Sequence, residues 1–129
     1  MTTDLMMLTW SAVLCVLLAF PYTIGLTQKL GLPTMAGNRE NFPVVEGWIG
    51  RSLRAHRNMV ENLAPFAALV LVAHVAGKAG SDTALGAQLF FWSRLVHAGA
   101  YLGGVVWVRT AAFAVSFVGM LLIVVAILR

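Results

Sequence analysis

From Leu5 to Gln28 the chain carries no charged residue, and the interval is closed by Asp4 on one side and Lys29 on the other. At about 1.5 Å per residue, a helix of that length covers the roughly 30 Å hydrocarbon core of a bilayer. A soluble fold would have to bury the run, and the composition leaves too little polar surface to do so. Hydrophobic residues make up 60% of the 129 and charged residues 11%, against roughly 45–50% and 25% in soluble domains. The mean hydropathy of +0.84 likewise points to lipid as the solvent. A water-soluble enzyme, a disordered segment and a nucleic-acid-binding domain are thereby excluded. The net charge of +4 does not restore the last of these, because the nine Lys and Arg are scattered among apolar runs. Cys15 is the lone cysteine and lies inside an apolar run, so neither a disulfide framework nor a cysteine metal cluster is expected. The first run reads as a span rather than a signal peptide. It has no basic segment before it, and Phe20-Pro21-Tyr22 stands where a small-residue cleavage pattern would be.

Three further runs complete a single all-α domain over 1–129, with helices expected at about 5–27, 46–76, 83–105 and 110–128. Between the first two lies a stretch of turn formers with Gly31, Pro33, Gly37, Asn38, Asn41 and Pro43, read as a loop. The second helix begins polar and ends in the apolar stretch Leu63 to Val75, with Pro65 expected to kink it. Gly77, Gly80, Ser81 and Asp82 make a turn short enough to set the third helix antiparallel to the second. A brief link from Gly104 to Arg109 precedes the last helix, which places Arg109 at its N-terminus. The expected architecture is an integral membrane four-helix bundle of up-down topology. Lys29, Arg39, Arg51, Arg54, Arg57 and Arg109 fall on one side, and only Lys78 and Arg129 on the other. The positive-inside rule then turns both termini away from the cytoplasm.

The segment Arg54-Ala55-His56-Arg57-Asn58-Met59-Val60-Glu61-Asn62-Leu63-Ala64-Pro65 carries the chemistry. At 100° per residue, Arg54, Arg57, Asn58, Glu61 and Pro65 share one helix face that runs into the apolar core. Snorkelling of the arginines to headgroups, with a Glu61–Arg57 pair at i, i+4, is the plain alternative. Arg94 argues against it. This arginine sits among Phe90, Phe91, Trp92, Leu95 and Val96, where a charge costs about 2.5–3.5 kcal/mol even on the lenient insertion scale and needs a partner. Measured from the turn at residues 77–82, Glu61 lies about 24 Å deep, Arg94 about 18 Å and His97 about 22 Å. Glu61 is therefore expected to reach both. Arg94, His97 and Tyr101 recur at spacings of three and four and share a face, which should meet the first within a subunit or across an interface. Four arginines and one glutamate (Arg54, Arg57, Arg94, Arg109, Glu61) leave an excess of three positive charges, which asks for an anion. Arg109 at a helix N-terminus would favour one further. His56 and His74 are read as structural, and Gly99 and Gly103 as a small-residue spacing for close helix contact.

The stripe RAHRNMVENLAP resembles the hallmark of the MAPEG family, the membrane-associated proteins of eicosanoid and glutathione metabolism. RLVHAGAYLGG followed by Arg109-Thr110 is similar to the third- and fourth-helix signature of its prostaglandin E synthase and microsomal glutathione transferase branch. The resemblance implies a homotrimer of four-helix bundles with glutathione held between subunits on the cytoplasmic side. By the same resemblance Arg54, Arg57, Asn58, Glu61, His97 and Tyr101 contact glutathione, with Arg94 beside them. Arg109 would stabilise the thiolate, with Thr110 as the neighbouring hydroxyl, and Lys29 would match a basic residue at the end of the first helix. The link from Tyr101 to Arg109 is one residue shorter than in the synthase branch. Phe113 replaces a tyrosine there, and both departures argue against synthase-type activity. The compact chain looks like a bacterial member in an inner membrane.

The expected function is a glutathione-dependent transferase or peroxidase acting on a lipophilic electrophile that enters from the bilayer. The alternative is a non-catalytic scaffold or lipid-binding member, a branch that lacks the full arginine set kept here. A small multidrug transporter is disfavoured, because its membrane-embedded glutamate in the first helix has no counterpart after Asp4. No metal, nucleotide or nucleic acid is expected.

Overall fold

The computed structural model describes the whole chain, Met1–Arg129, and is all-α. Helix α1 covers Thr3–Leu30, α2 Leu32–Ala36, α3 Gly47–Val75, α4 Ser81–Gly103 and α5 Val106–Leu128. Helices α1, α3 and α5 are long and apolar enough to cross a membrane. At 23 residues α4 is as long as α5, yet its composition does not mark it as a span. Its position explains the difference. Helix α4 packs against α1, α3 and α5 and turns Thr83, Ser93, Arg94 and His97 inward, so these four polar residues are covered by protein.

The segment after α1 departs from the expected loop. Gly31, at φ +85°, ends α1, and Pro33 sits in the first turn of the short α2, where its missing N–H costs nothing. Met35 of α2 is buried against Leu26 and Ile49, with Tyr22, Leu30, Phe42 and Val45 around them. The turn-forming residues therefore fold back as a plug on the end of α1 and α3.

The last helix begins at Val106, four residues before the expected start. Gly104 adopts the left-handed region at φ +75°. The Val105 N–H then donates to Ala100 O (2.8 Å) and the Gly104 N–H to Tyr101 O (3.2 Å), a Schellman closure that satisfies the end of α4 within two residues. Arg109 thus lies one turn inside α5, and its N–H already bonds Val105 O at 3.2 Å. It does not stand at the free helix terminus, and its cationic side chain rather than the helix end supplies the local charge.

The main core joins residues of α1, α3, α4 and α5, among them Leu14, Met59, Phe66, Val70, Phe90 and Ile123. The Phe66 and Phe90 rings stack at 3.8 Å between centroids, tying α3 to α4. Within the chain Gly99 and Gly103 make no close helix contact. A Cβ on Gly99 would meet nothing within 4 Å, because that residue faces outward. The close crossing is between Gly86 and Gly119, where an added Cβ on the first would lie 2.5 Å from the carbonyl oxygen of the second.

At the end of the molecule where α1 starts, three helices are tied by buried polar groups. Asp4 is 2% exposed; its Oδ2 lies 3.0 Å from His74 Nε2 of α3 and accepts from Thr83 Oγ1 of α4 at 3.1 Å. Thr83 Oγ1 also accepts the Gly80 N–H at 2.8 Å, which caps α4. Replacing Asp4 with Ala removes one partner from each, leaving Thr83 Oγ1 with Gly80 O at 2.9 Å and His74 Nε2 with Thr2 Oγ1 at 3.1 Å, and each lost hydrogen bond contributes about 0.5–1.5 kcal/mol. The expected result is a lower thermal midpoint for the detergent-purified D4A protein than for D4N, which keeps an acceptor oxygen. Equal midpoints for wild type and D4A would show that the cluster contributes nothing.

Candidate functional site

The opposite end brings together the end of α1, the start of α3, the end of α4 and the start of α5. The two-residue link fixes α5 beside the last turn of α4, and the Arg109 guanidinium carbon lies over the Tyr101 ring at 4.5 Å. The contact is cation–π in kind, so Arg109 is held without a carboxylate partner. His97 stands edge-on to Tyr101, 5.5 Å between centroids, and 6.4 Å from Phe113. These residues, with Asn58 and Thr110, line a cavity of about 220 Å³. No carboxylate lines it.

Arg94 lies beside this cavity and is 1% exposed. Its Nη2 donates to Asn58 Oδ1, while Nε and Nη1 have no partner. Buried cations are normally satisfied on every side, and here two of the three guanidinium nitrogens have no acceptor within the chain. Glu61 is not that acceptor. Its side chain is exposed and forms no ion pair with Arg94 or His97. Rotation about the helix axis is the reason. At 100° per residue Asn58 lies 60° round the helix from Glu61, and that rotation turns Asn58 toward α4.

The predicted residues therefore divide into two sets. Asn58, Arg94, His97, Tyr101, Arg109 and Thr110 are gathered at or beside the cavity. Arg54, Arg57 and Glu61 are exposed on the outer face of α3 and do not line it. Lys29 is exposed in the last turn of α1 and is likewise outside the cavity. The Thr110 hydroxyl donates to Val106 O at 3.0 Å, one turn back in its own helix, and its lone pairs are left over.

Three further residues bear on the site or on the scaffold around it. Arg51 donates from Nε to Leu102 O at 3.3 Å and packs by Gly104, so it clamps the link that positions Arg109. Its spacing of three from Arg54 was the available signal. His56, read as structural, is bonded to Tyr22 of α1, with Nδ1 3.0 Å from the hydroxyl. Nothing in the local pattern pairs those two residues. Phe113 was noted as a departure from the family and forms part of the cavity wall.

An all-helical chain with three helices long and apolar enough to cross a membrane, and a buried arginine beside a cavity that no carboxylate lines, defines an integral membrane protein. Residues 5–129 match the sequence model of the MAPEG family, and the chain belongs to that family. No curated protein matches it.

Proposed function

We propose that this protein is a glutathione-dependent transferase or peroxidase acting on a lipophilic electrophile at the end of the molecule that holds Arg109. The observation that carries this reading is the orphaned guanidinium of Arg94, buried beside a cavity that Arg109 also lines and that no carboxylate enters. Such a site attracts an anion, and guanidinium groups match carboxylates in paired geometry. Glutathione supplies a thiol that becomes nucleophilic as the thiolate, and at a pKa of about 8.5 little of a free thiol is ionised at neutral pH. Arg109 supplies positive charge where that thiolate forms. Thr110 Oγ1 offers a hydroxyl on the next residue, and Asn58 and Tyr101 orient the ligand's polar groups.

The second half of the site comes from the exposed face of α3. Arg54, Arg57 and Glu61 border the same helix turns as Asn58, and charges left facing lipid are costly. We take this face to be covered by a neighbouring subunit of a homotrimer, each protomer a four-helix bundle whose α4 is the fourth span. The ligand then lies between subunits, with the arginine-rich end toward the cytoplasm of a bacterial inner membrane.

Calorimetry on the detergent-purified protein tests the reading, comparing wild type with Arg57→Ala. Glutathione binding is expected in the wild type. Loss of one charged hydrogen-bonding partner, about 1.5–3 kcal/mol, should weaken it roughly tenfold to hundredfold in the variant. Absence of binding in both proteins would overturn the glutathione reading and give the lead to a non-catalytic, lipid-binding role.

A further inference from the structure

Helices α4 and α5 present a second cavity on the face turned away from the first. Its volume is about 510 Å³, within the range of small-molecule sites. On α5 it is lined by Val108, Ala111, Ala112 and Val115, on α4 by Leu85, Leu89, Trp92 and Val96, with Gln88 and Ser93 as its polar members. Helical periodicity sets it back to back with the anion cavity. Residues 108, 111, 112 and 115 centre nearly opposite 109, 110 and 113 around α5, at 100° per residue. The groove exists because the two helices touch backbone to backbone at Gly86 and Gly119, while farther along α4 and α5 side chains such as Ser93 and Ala112 are small and leave space.

Its chemistry is specific enough to name an occupant. No charged residue lines it, so a charged ligand has no counter-ion there. Gln88 is exposed in the groove and its amide has no partner within the chain. An exposed glutamine on a helix wall facing lipid is costly unless something bonds to it. Ser93 spends its hydrogen on Phe90 O at 2.9 Å, so the free N–H donors are those of Gln88 and Trp92, and they ask for an acceptor. From Leu85 to Val96 the groove runs about 17 Å, close to one leaflet of the roughly 30 Å hydrocarbon core. A second copy of the chain is the other conceivable cover, but a ring-forming contact would set the charged face of α3 against a surface that offers it partners, and this groove, with no charged residue, offers none.

We propose that the α4–α5 groove binds an uncharged lipid bearing a carbonyl oxygen, its chain laid along the apolar wall and its carbonyl bonded to Gln88. Because Val108, Ala111 and Ala112 flank Arg109 and Thr110 in sequence, the lipid rests against the turn that carries the proposed thiol-activating residues. The site stands independently of the glutathione reading.

Trp92 is the natural reporter. In a protein with Trp10, Trp48 and Trp107 changed to Phe and reconstituted in phosphatidylcholine vesicles, Trp92 fluorescence is followed against two quenchers. One is a dibrominated fatty-acid methyl ester and the other the matching dibrominated alkane. Saturable quenching is expected from the ester alone. Its half-saturation should rise about tenfold in Gln88→Leu, the loss of roughly one hydrogen bond in an apolar site, and saturation should vanish in Ala112→Phe, which fills the groove. Quenching by both probes in simple proportion to their mole fraction, unchanged by Gln88→Leu, would mean ordinary boundary lipid and overturn the proposal. Absence of quenching by either would place a second copy of the chain over Trp92 and overturn it equally.

Discussion

Replacing Arg109 with Ala is expected to lower kcat for glutathione transfer by about 10²–10³-fold, the usual loss when one preorganised stabiliser of developing charge is removed. Glutathione affinity should fall by less than about tenfold, a smaller effect than expected at Arg57 when the lost contact is made mainly to the thiolate. The geometry behind this split is the stacking of Arg109 on Tyr101 at 4.5 Å, with no acidic residue in the cavity. Its charge is held in place but not spent. Steady-state kinetics with saturating electrophile, alongside calorimetry, separates the two effects. A variant that loses affinity while keeping kcat would make Arg109 an anchor for a ligand carboxylate and leave the thiol without its activator.

Asn58→Ala should be the most destabilising single change in the site, because it removes the one acceptor that Arg94 has. Removing a hydrogen-bond partner from a charged group costs about 1.5–3 kcal/mol, whereas replacing a poorly partnered buried charge by an apolar group of similar size removes the desolvation penalty along with the charge. Arg94→Met should therefore leave the resting protein at least as stable as wild type and should rescue the thermal midpoint of Asn58→Ala when the two are combined. Added glutathione should no longer raise the midpoint of Arg94→Met, since the orphaned nitrogens that would receive the ligand are gone. Simple additivity of the two substitutions would show that Arg94 finds another partner, and the case for a missing anion would go with it.

Much of this arrangement was legible in the residues themselves. The charge-free interval after Asp4 and the apolar runs of α3 and α5 dictate membrane-crossing helices, because hydrocarbon imposes length and composition together. The spacing of Arg94, His97 and Tyr101 gave their common face, and that face meets Asn58. Rotation about a helix axis was harder to read. Glu61 and Asn58 are three residues apart, and only the packing of Met59 and Phe66 into the core decides which of them turns toward α4. Tertiary closure also set the helix starts. Gly104 ends α4 so economically that α5 absorbs Val106–Arg109, where the β-branched and aromatic side chains of Val106, Trp107 and Val108 gave no strong helix signal. The plug formed by α2 was hidden for a similar reason, since Gly31 and Pro33 punctuate both loops and helix beginnings. Pairs between distant segments, such as Tyr22 with His56 and Asp4 with His74, leave no local trace at all.

The two ends of the molecule are unequally fastened. Where α1 begins, buried Asp4 and Thr83 and half-buried His74 knot three helices together, and Gly86 meets Gly119 only a short way in. At the other end Thr110 is exposed, Arg109 and Tyr101 are half-covered, and Arg94 has one bond where it has room for several. Helix movement that leaves the Asp4 contacts intact is thus available only at the cavity end, where adjustment costs the Arg109–Tyr101 stacking rather than the contacts that hold three helices together.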